Sequence, residues 1–539
     1  MSANLRGDLL LLLHAHLPYV RHPENSYHLE ENWLYEAITA TYLPLILELR
    51  KLTAAGASPR LTLSLSPTLC SMLRDQLLGE RYRAYLERLL RLGEEELTRA
   101  KDLPEQSELV RFYLARFTEL RALYLALDGD VVAAFGQLQT QGALEIITTC
   151  ATHAYLPVLR SQSARRAQLL IAVRHYRECF GQYPRGIWLP ECGYVDGLDQ
   201  LLAELDLRFF FLDAHGLTYA RPRPPLGLHA PIFTRAGVAA FGRDLMSSKQ
   251  VWSSTEGYPA DGIYRDFYRD IGFDRPLSEI APYIHPDGIR VYTGYKYHRV
   301  TGPRVDLQDK APYQPELAKV RAREHARDFV EKRQAQVAWL SQRMDRRPMI
   351  VSPYDAELFG HWWFEGPTFL GEVLRLCSQP DNEVQLQTAS GYLADYPVNA
   401  VCEPAPSSWG EGGYSAVWLD NSNDWIYRHV HHAETKMHEL VEKFGGAAKD
   451  DGTQAGQQAR TARALVQAGR ELLLAQSSDW AFIMKTGTAV SYAESRVRTH
   501  LQRFNRLAAD LEAGTVDEAF VADCESRDNL FPNLDTRLF

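Results

Sequence analysis

Short apolar runs recur along the chain, and each ends in a polar or charged residue. Asp8–Leu13 ends at His14 and His16, and Leu61–Leu65 ends at Ser66-Pro67. Leu144–Thr148 is followed by His153, and Gly186–Leu189 ends at Pro190-Glu191. Leu207–Leu212 ends at Asp213, and Pro348–Val351 runs into Tyr354-Asp355. Continuous apolar runs of this length read as strands buried on both faces, as in a parallel sheet. Amphipathic stretches lie between them, at Asn32–Leu52, Ala164–Phe180 and Leu198–Leu205. Strand–helix alternation predicts an α/β fold with a parallel sheet. Candidate functional residues gathered at the C-terminal ends of successive strands are what a (β/α) barrel produces. The candidate strands number about seven, so an eight-stranded barrel is not forced.

Two regions break the alternation. Between about 70 and 140 the sequence is charge-rich and helix-forming (Arg81–Arg99, Glu108–Leu127), which predicts a helical insertion after the second strand. From Asp424 onwards the pattern is helical again, at Trp425–Phe444, Gln457–Gln476 and Ala489–Ala513. A Gly/Ala/Asp-rich loop, Gly445–Gly456, separates the first two. The expected division is therefore a catalytic unit over 1–70 and 141–423, an insertion over 71–140 and a helical domain over 424–539. The segment 219–260, rich in Pro, Gly and aromatics, reads as a long irregular loop over the mouth of the sheet, with Trp252 and Tyr258 hanging above the cleft.

Composition narrows the function classes. Hydrophobic residues at 45% and charged residues at 24% give a chain of 539 residues ample core, as in an ordinary globular protein. The net charge of -9 comes with both signs interleaved and no basic stripe, which argues against nucleic acid as a partner. Seven scattered cysteines without a CxxC pair suggest neither a disulfide framework nor a thiolate zinc site, and fit a reducing cytoplasm. Leu9–Leu13 is too short for a signal segment or a membrane span, so no membrane role is expected. Ten Trp and 27 Tyr, many of them in polar, Gly-rich stretches, point to a sugar-binding cleft, where flat rings meet pyranose faces.

The candidate chemistry sits in two motifs. Glu191 lies in Trp188-Leu-Pro-Glu-Cys-Gly-Tyr194, and Asp355 in Ser352-Pro-Tyr-Asp-Ala-Glu-Leu-Phe-Gly-His-Trp-Trp363. A carboxylate at a buried strand end is paired, protonated or catalytic. Each also has a plainer reading as a helix cap, and Glu357 rivals Asp355 as the acid. Two such groups satisfy glycoside chemistry, in which one attacks the anomeric carbon and the other protonates the leaving oxygen. His14 and His16 share one side of a strand. They could bind sugar hydroxyls, sit satisfied in the core, or bind zinc with His153 or Asp213 as a further ligand. Trp409 and Trp418 are candidate exposed rings, and Ser478-Asp479-Trp480 closes a helix in the last domain.

Taken together these segments resemble glycoside hydrolase family 57. The matching motifs are His14-Ala-His16-Leu-Pro-Tyr19, Ala151-Thr-His153, the Glu191 and Asp355 motifs, the Trp409 region and Ser478-Asp-Trp480. The resemblance is strongest to the family's 1,4-α-glucan branching members. It implies a distorted, TIM-like (β/α)7 barrel with a helical insertion and an all-helical C-terminal domain. It makes Glu191 the nucleophile and Asp355 the general acid/base, and lets His14, His16, His153, Trp362, Trp409, Trp418, Asp479 and Trp480 line the glucan cleft. It implies no metal and no organic cofactor, and α-glucan (amylose or a glycogen-like polymer) as the partner of a cytoplasmic monomer or small homo-oligomer. Phe273 departs from the tryptophan expected in some branching relatives. The rivals are an α-amylase-type hydrolase or 4-α-glucanotransferase on the same carboxylates, a metal-dependent deacetylase or mannosidase, and a non-catalytic glucan-binding protein.

Overall fold

A computed structural model describes residues 6–253, 256–302, 304–446 and 455–539. Its strands are β1 (Gly7–Ala15), β2 (Leu61–Leu65), β3 (Leu144–Ile147), β4 (Gly186–Ile187), β5 (Phe209–Leu212), β6 (Ile232–Phe233), β7 (Ala239–Gly242), β8 (Met349–Asp355) and β9 (Val384–Leu386). The apolar runs therefore become strands, as the pattern requires. β1, β2, β3 and β8 form a parallel sheet in the order β3-β2-β1-β8, with β9 also pairing β1. The second sheet runs β4-β5-β7-β6, with only β6 antiparallel.

The expected closed barrel is corrected here, because backbone pairing leaves two sheets and two seams. At one seam a single bridge joins Thr148 to Ile187, with Trp188 N donating to Thr148 O at 2.9 Å. At the other, Asp244 N donates to Val351 O at 2.8 Å. The physical reasons are local. β4 has two residues and cannot carry a ladder, and Pro353 in β8 brings no N–H to one.

The sheets nevertheless share an interior. Leu10 and Leu12 of β1 cluster with Ile147, Trp188, Phe209, Phe211, Phe241, Met349 and Val351, while Leu9, Leu11 and Leu13 pack outward with the helices. Both faces of β1 are thus buried, which is why its run is continuous rather than alternating. The period of two then decides what lies above this interior core. Counting on from Leu12, Phe211, Phe241 and Val351, the same face brings His14, Asp213, Arg243 and Asp355 to one end.

Helices cover the outside. The first, Glu31–Ala37, continues through a π-helical turn (Ile38–Tyr42) into Leu43–Ala54. Gln76–Arg99 and Pro104–Ala126 pack together where the helical insertion was expected. Pro315–Ser341 leads into β8. From Trp425 to the C-terminus the described residues contain helices and no strand, in agreement with the expected helical domain. The predicted loop over 445–456 lies mostly outside the described residues. The stretch 219–260 is less irregular than expected, since it holds β6, β7 and the helix Leu245–Trp252. No helix among the described residues is long and apolar enough to cross a membrane.

Candidate active site

His14 is the centre of the arrangement. Its in-register neighbours are Ser64 on β2 and Asp355 on β8, all three near strand ends on the interior face. Its Nδ1 meets Ser64 Oγ at 3.1 Å and its Nε2 meets His153 Nε2 at 2.9 Å. His16, one turn of the pleat further, repeats the pattern, with Nδ1 against Ser66 Oγ at 2.8 Å and Nε2 against the Asp479 carboxylate at 3.0 Å. Its ring stacks on that of His153 with centroids 3.9 Å apart. Burial first, then the neighbouring imidazoles, hold His14 and His153 well below the usual histidine range, which favours the neutral form of both rings.

Glu191 enters from the turn after β4. His153, Glu191 and Cys192 all adopt left-handed backbone, at φ +55°, +63° and +52°. Non-glycine residues held there are strained, and such strain clusters at functional sites. The Glu191 side chain is buried, yet it is not an unpaired charge. Trp409 Nε1 donates to Oε2 at 2.8 Å and Ser478 Oγ donates to Oε1 at 2.9 Å. Burial, followed by the Asp479 carboxylate, pushes Glu191 up to about 7, against those two donors and His16. Its plainer reading as a helix cap is not what the side chain does.

Asp355 precedes a short helical turn but makes no capping hydrogen bond. Burial, then Glu357 and Glu191, push it well above the carboxylate range, with only Arg243 opposing. The two carboxylates therefore feel each other in unlike surroundings. Glu191 has two donors that favour its charge, whereas Asp355 has two acidic neighbours that favour its proton. Such a division is what a base or nucleophile beside an acid requires. Glu357 is tied to the Tyr42 hydroxyl, and burial raises it to about 7.

The remaining expected residues separate into groups. Trp409 touches Glu191 directly and stands edge-on to Trp188 and Trp252, at 5.0 and 6.3 Å between centroids. Trp362 is 54% exposed and stacks on Phe267 at 4.4 Å, presenting a flat face to solvent. Trp418 and Trp480 are buried, the former 1% exposed and stacked on Tyr155, so they build the wall rather than offer a stacking face. Tyr258 is likewise turned inward, stacking on His325 and donating to Asp328 at 2.6 Å, and does not hang over the cleft. His14 and His153 are sealed beneath the site, with every ring nitrogen engaged by protein.

Sequence reasoning missed Ser64, Ser66, Tyr42, Arg243 and the role of Ser478. Arg243 pairs with Asp213 at 3.1 Å and lies 5.8 Å over the Trp409 ring. The His-x-His at the end of β1, facing Ser64-x-Ser66 at the end of β2, was readable once the strand register was known. A metal would have to compete for His16, His153 and Asp479, whose potential ligand atoms lie within 4.8 Å of one another. Each of these groups already has a hydrogen-bonding partner within the protein. A zinc ion there would have to displace these hydrogen bonds.

The sequence pattern of glycosyl hydrolase family 57 matches residues 10–402, and that of the 1,4-alpha-glucan branching enzyme C-terminal region matches residues 429–539. A 1,4-alpha-glucan branching enzyme of Thermococcus kodakarensis is 33% identical over 98% of this chain and 78% of its own length. Among solved structures, an alpha-amylase, AmyC, from Thermotoga maritima superposes with a TM-score of 0.92 at 42% identity, covering 99% of each chain. A branching enzyme of this type from Pyrococcus horikoshii superposes at 0.86 with 33% identity, covering 99% of this chain and 97% of its own. With its two carboxylates at the strand ends and a family match over most of its length, this chain belongs to glycosyl hydrolase family 57.

Proposed function

We propose that the protein is a retaining 1,4-α-glucan branching enzyme, with Glu191 as nucleophile and Asp355 as general acid/base. The observation that carries the reading is the unlike environment of the two carboxylates: Trp409 and Ser478 donate to Glu191, while Glu357 and Glu191 hold the proton on Asp355. In the first step Glu191 attacks C1 of an α-1,4 linkage. The C1–O bond breaks, and the departing oxygen takes the Asp355 proton. In the second step Asp355 takes the proton of an acceptor hydroxyl, which attacks C1 and frees Glu191.

Branching requires that a glucan 6-hydroxyl outcompete water for the intermediate. The burial of Glu191, with Asp355 half-buried beside it, supports this by limiting the access of bulk water to the reacting carbon. The exposed Trp362–Phe267 stack, a few residues beyond Asp355, supplies a platform on which an acceptor chain can rest. The match of residues 429–539 to the branching-enzyme C-terminal region also favours transfer. Hydrolysis is the second reading, favoured by the high similarity to an alpha-amylase.

The same proposal treats β1, β2, β3, β4, β5, β7 and β8 as a seven-stranded barrel opened at two seams. It takes 1–70 with 141–423 as the catalytic unit, 71–140 as an insertion and 424–539 as the helical domain. It makes the protein a cytoplasmic monomer or small homo-oligomer acting in glycogen biosynthesis. Azide rescue tests the assignment. In Glu191→Gly, azide occupies the vacated nucleophile space and attacks the face opposite the leaving chain, so β-glycosyl azide is expected. In Asp355→Ala the intermediate forms on Glu191 and azide yields the α-product. Reversed anomers would exchange the two roles.

A further inference from the structure

The Glu191 carboxylate stands at the end of a buried line of four hydrogen bonds. Ser64 Oγ and His14 Nδ1 are 3.1 Å apart, and His14 Nε2 and His153 Nε2 are 2.9 Å apart. His153 Nδ1 and Ser478 Oγ are 2.8 Å apart, and Ser478 Oγ reaches Glu191 Oε1 at 2.9 Å. Four of these residues belong to the sheets and their loops. Ser478 opens the helix Ser478–Thr486 of the C-terminal domain.

With Glu191 ionised, proton counting fixes the direction of every bond. Ser478 has one hydroxyl proton, and it donates to Glu191. Its contact with His153 must therefore be donation from His153 Nδ1–H. A neutral His153 then carries a lone pair on Nε2, which must accept from His14 Nε2–H. A neutral His14 carries a lone pair on Nδ1, which must accept from the Ser64 hydroxyl. All four donors consequently point towards Glu191. Each polarises the next, so the last donor is stronger than an isolated serine hydroxyl.

We infer that Ser64, His14, His153 and Ser478 form a one-way hydrogen-bond relay that favours the ionised form of Glu191 in a dry site and eases its departure from the glycosyl-enzyme. The inference rests on Glu191 being the nucleophile. These four are positioning residues, since they act through Glu191 and not on the sugar. When the Glu191–C1 bond forms, the carboxylate loses its charge and the relay's hold on it weakens. When that bond breaks, the electron pair returns to Glu191 and the relay receives it. Protonating Glu191 instead forces Ser478 to turn away, or forces both imidazoles to change tautomer. The relay thus opposes the acidic neighbours that would neutralise the nucleophile.

The other titratable groups facing Glu191 are Asp355 from β8, Asp479 beside Ser478, His16 just beyond β1, and Tyr155 and Cys192 from the adjoining loops. Arg243 enters through Asp355 and Cys192. None of them is removed by altering the far end of the relay at Ser64.

The test is the pH dependence of kcat/KM for wild type, Ser478→Ala, Ser478→Thr and Ser64→Ala, with a slow fluorinated glycosyl donor used to trap the intermediate. Ser478→Ala should move the acid limb upward by about one to two pH units, the size of one charge-assisted hydrogen bond. It should also accumulate glycosyl-enzyme, and Ser478→Thr should restore both. Ser64→Ala, which touches neither Glu191 nor substrate, should move the limb in the same direction by less. A neutron structure should place deuterium on His153 Nδ1 and His14 Nε2, a readout that needs no variant to fold. Deuterium on His153 Nε2 instead, or an unmoved acid limb in folded Ser64→Ala, overturns the relay. A trapped sugar on a residue other than Glu191 overturns the catalytic assignment itself.

Discussion

Replacing Trp409 with phenylalanine isolates one physical term. The phenyl ring keeps an aromatic body near Trp188 and Trp252 but removes the Nε1–H that donates to Glu191 Oε2 at 2.8 Å. A hydrogen bond to a charged group is worth about 1.5–3 kcal/mol, and each 1.36 kcal/mol is about one pH unit of titration. Removing a donor to a carboxylate raises the pH at which it ionises. Glu191 is already raised to about 7 by burial, so at pH 7 about half of it is charged. A further rise of one to two units leaves roughly a tenth to a hundredth charged. The kcat/KM at pH 7 should therefore fall about fivefold to fiftyfold, with activity recovering as the pH is raised. The recovery is limited on the alkaline side by loss of the Asp355 proton. The assay is a pH–rate profile of branching on amylose under kcat/KM conditions. An acid limb identical to that of wild type, with activity lost evenly at all pH values, would refute the reasoning.

Other expectations follow from the same geometry. Asp355→Asn should lose about a hundredfold to ten-thousandfold in turnover, the span of general acid catalysis. Glu357→Gln, which retains a partner for Tyr42, should lose less than tenfold, and the opposite ranking would make Glu357 the acid. Exhaustive chelation should leave turnover unchanged, because the His16, His153 and Asp479 donor atoms are engaged by protein; activity lost to chelator and restored by zinc would contradict this. Gly360 has φ +122°, and a Cβ there would lie 1.9 Å from Ala40 O. Gly360→Ala should cost about 3 kcal/mol or more of stability, read as a lower Tm in a thermal melt.

Much of the fold is legible because the central strands are buried on both faces and so appear as uninterrupted apolar runs. Leu61–Leu65 and Trp425–Phe444 form over the residues that the pattern marks. The strands that escape notice are those whose sequence carries little signal. Ile232–Phe233 and Val384–Leu386 are too short, and Ala239–Gly242 is Ala-Ala-Phe-Gly, poor in β-branched residues. Barrel closure was over-read because alternation reports the order of elements and not the hydrogen bonds at their seams. Within the site, Glu191 and Asp355 stand out because each follows an apolar run. Ser478 does not, since the contact that gives it meaning spans 287 residues of sequence. The imidazoles were placed on the correct face by their i, i+2 spacing. That His14 is sealed depends on Ser64 standing in register beside it, which spacing alone does not reveal.

The central claim is that a buried intermediate on Glu191 is passed to a sugar rather than to water. A proton NMR time course on amylose, following the α-1,4 and α-1,6 anomeric signals beside a reducing-end assay, tests it most directly. The account predicts growth of the α-1,6 signal at the expense of α-1,4 with few new reducing ends. Reducing ends accumulating without an α-1,6 signal would contradict it and make the protein a hydrolase on the same two carboxylates.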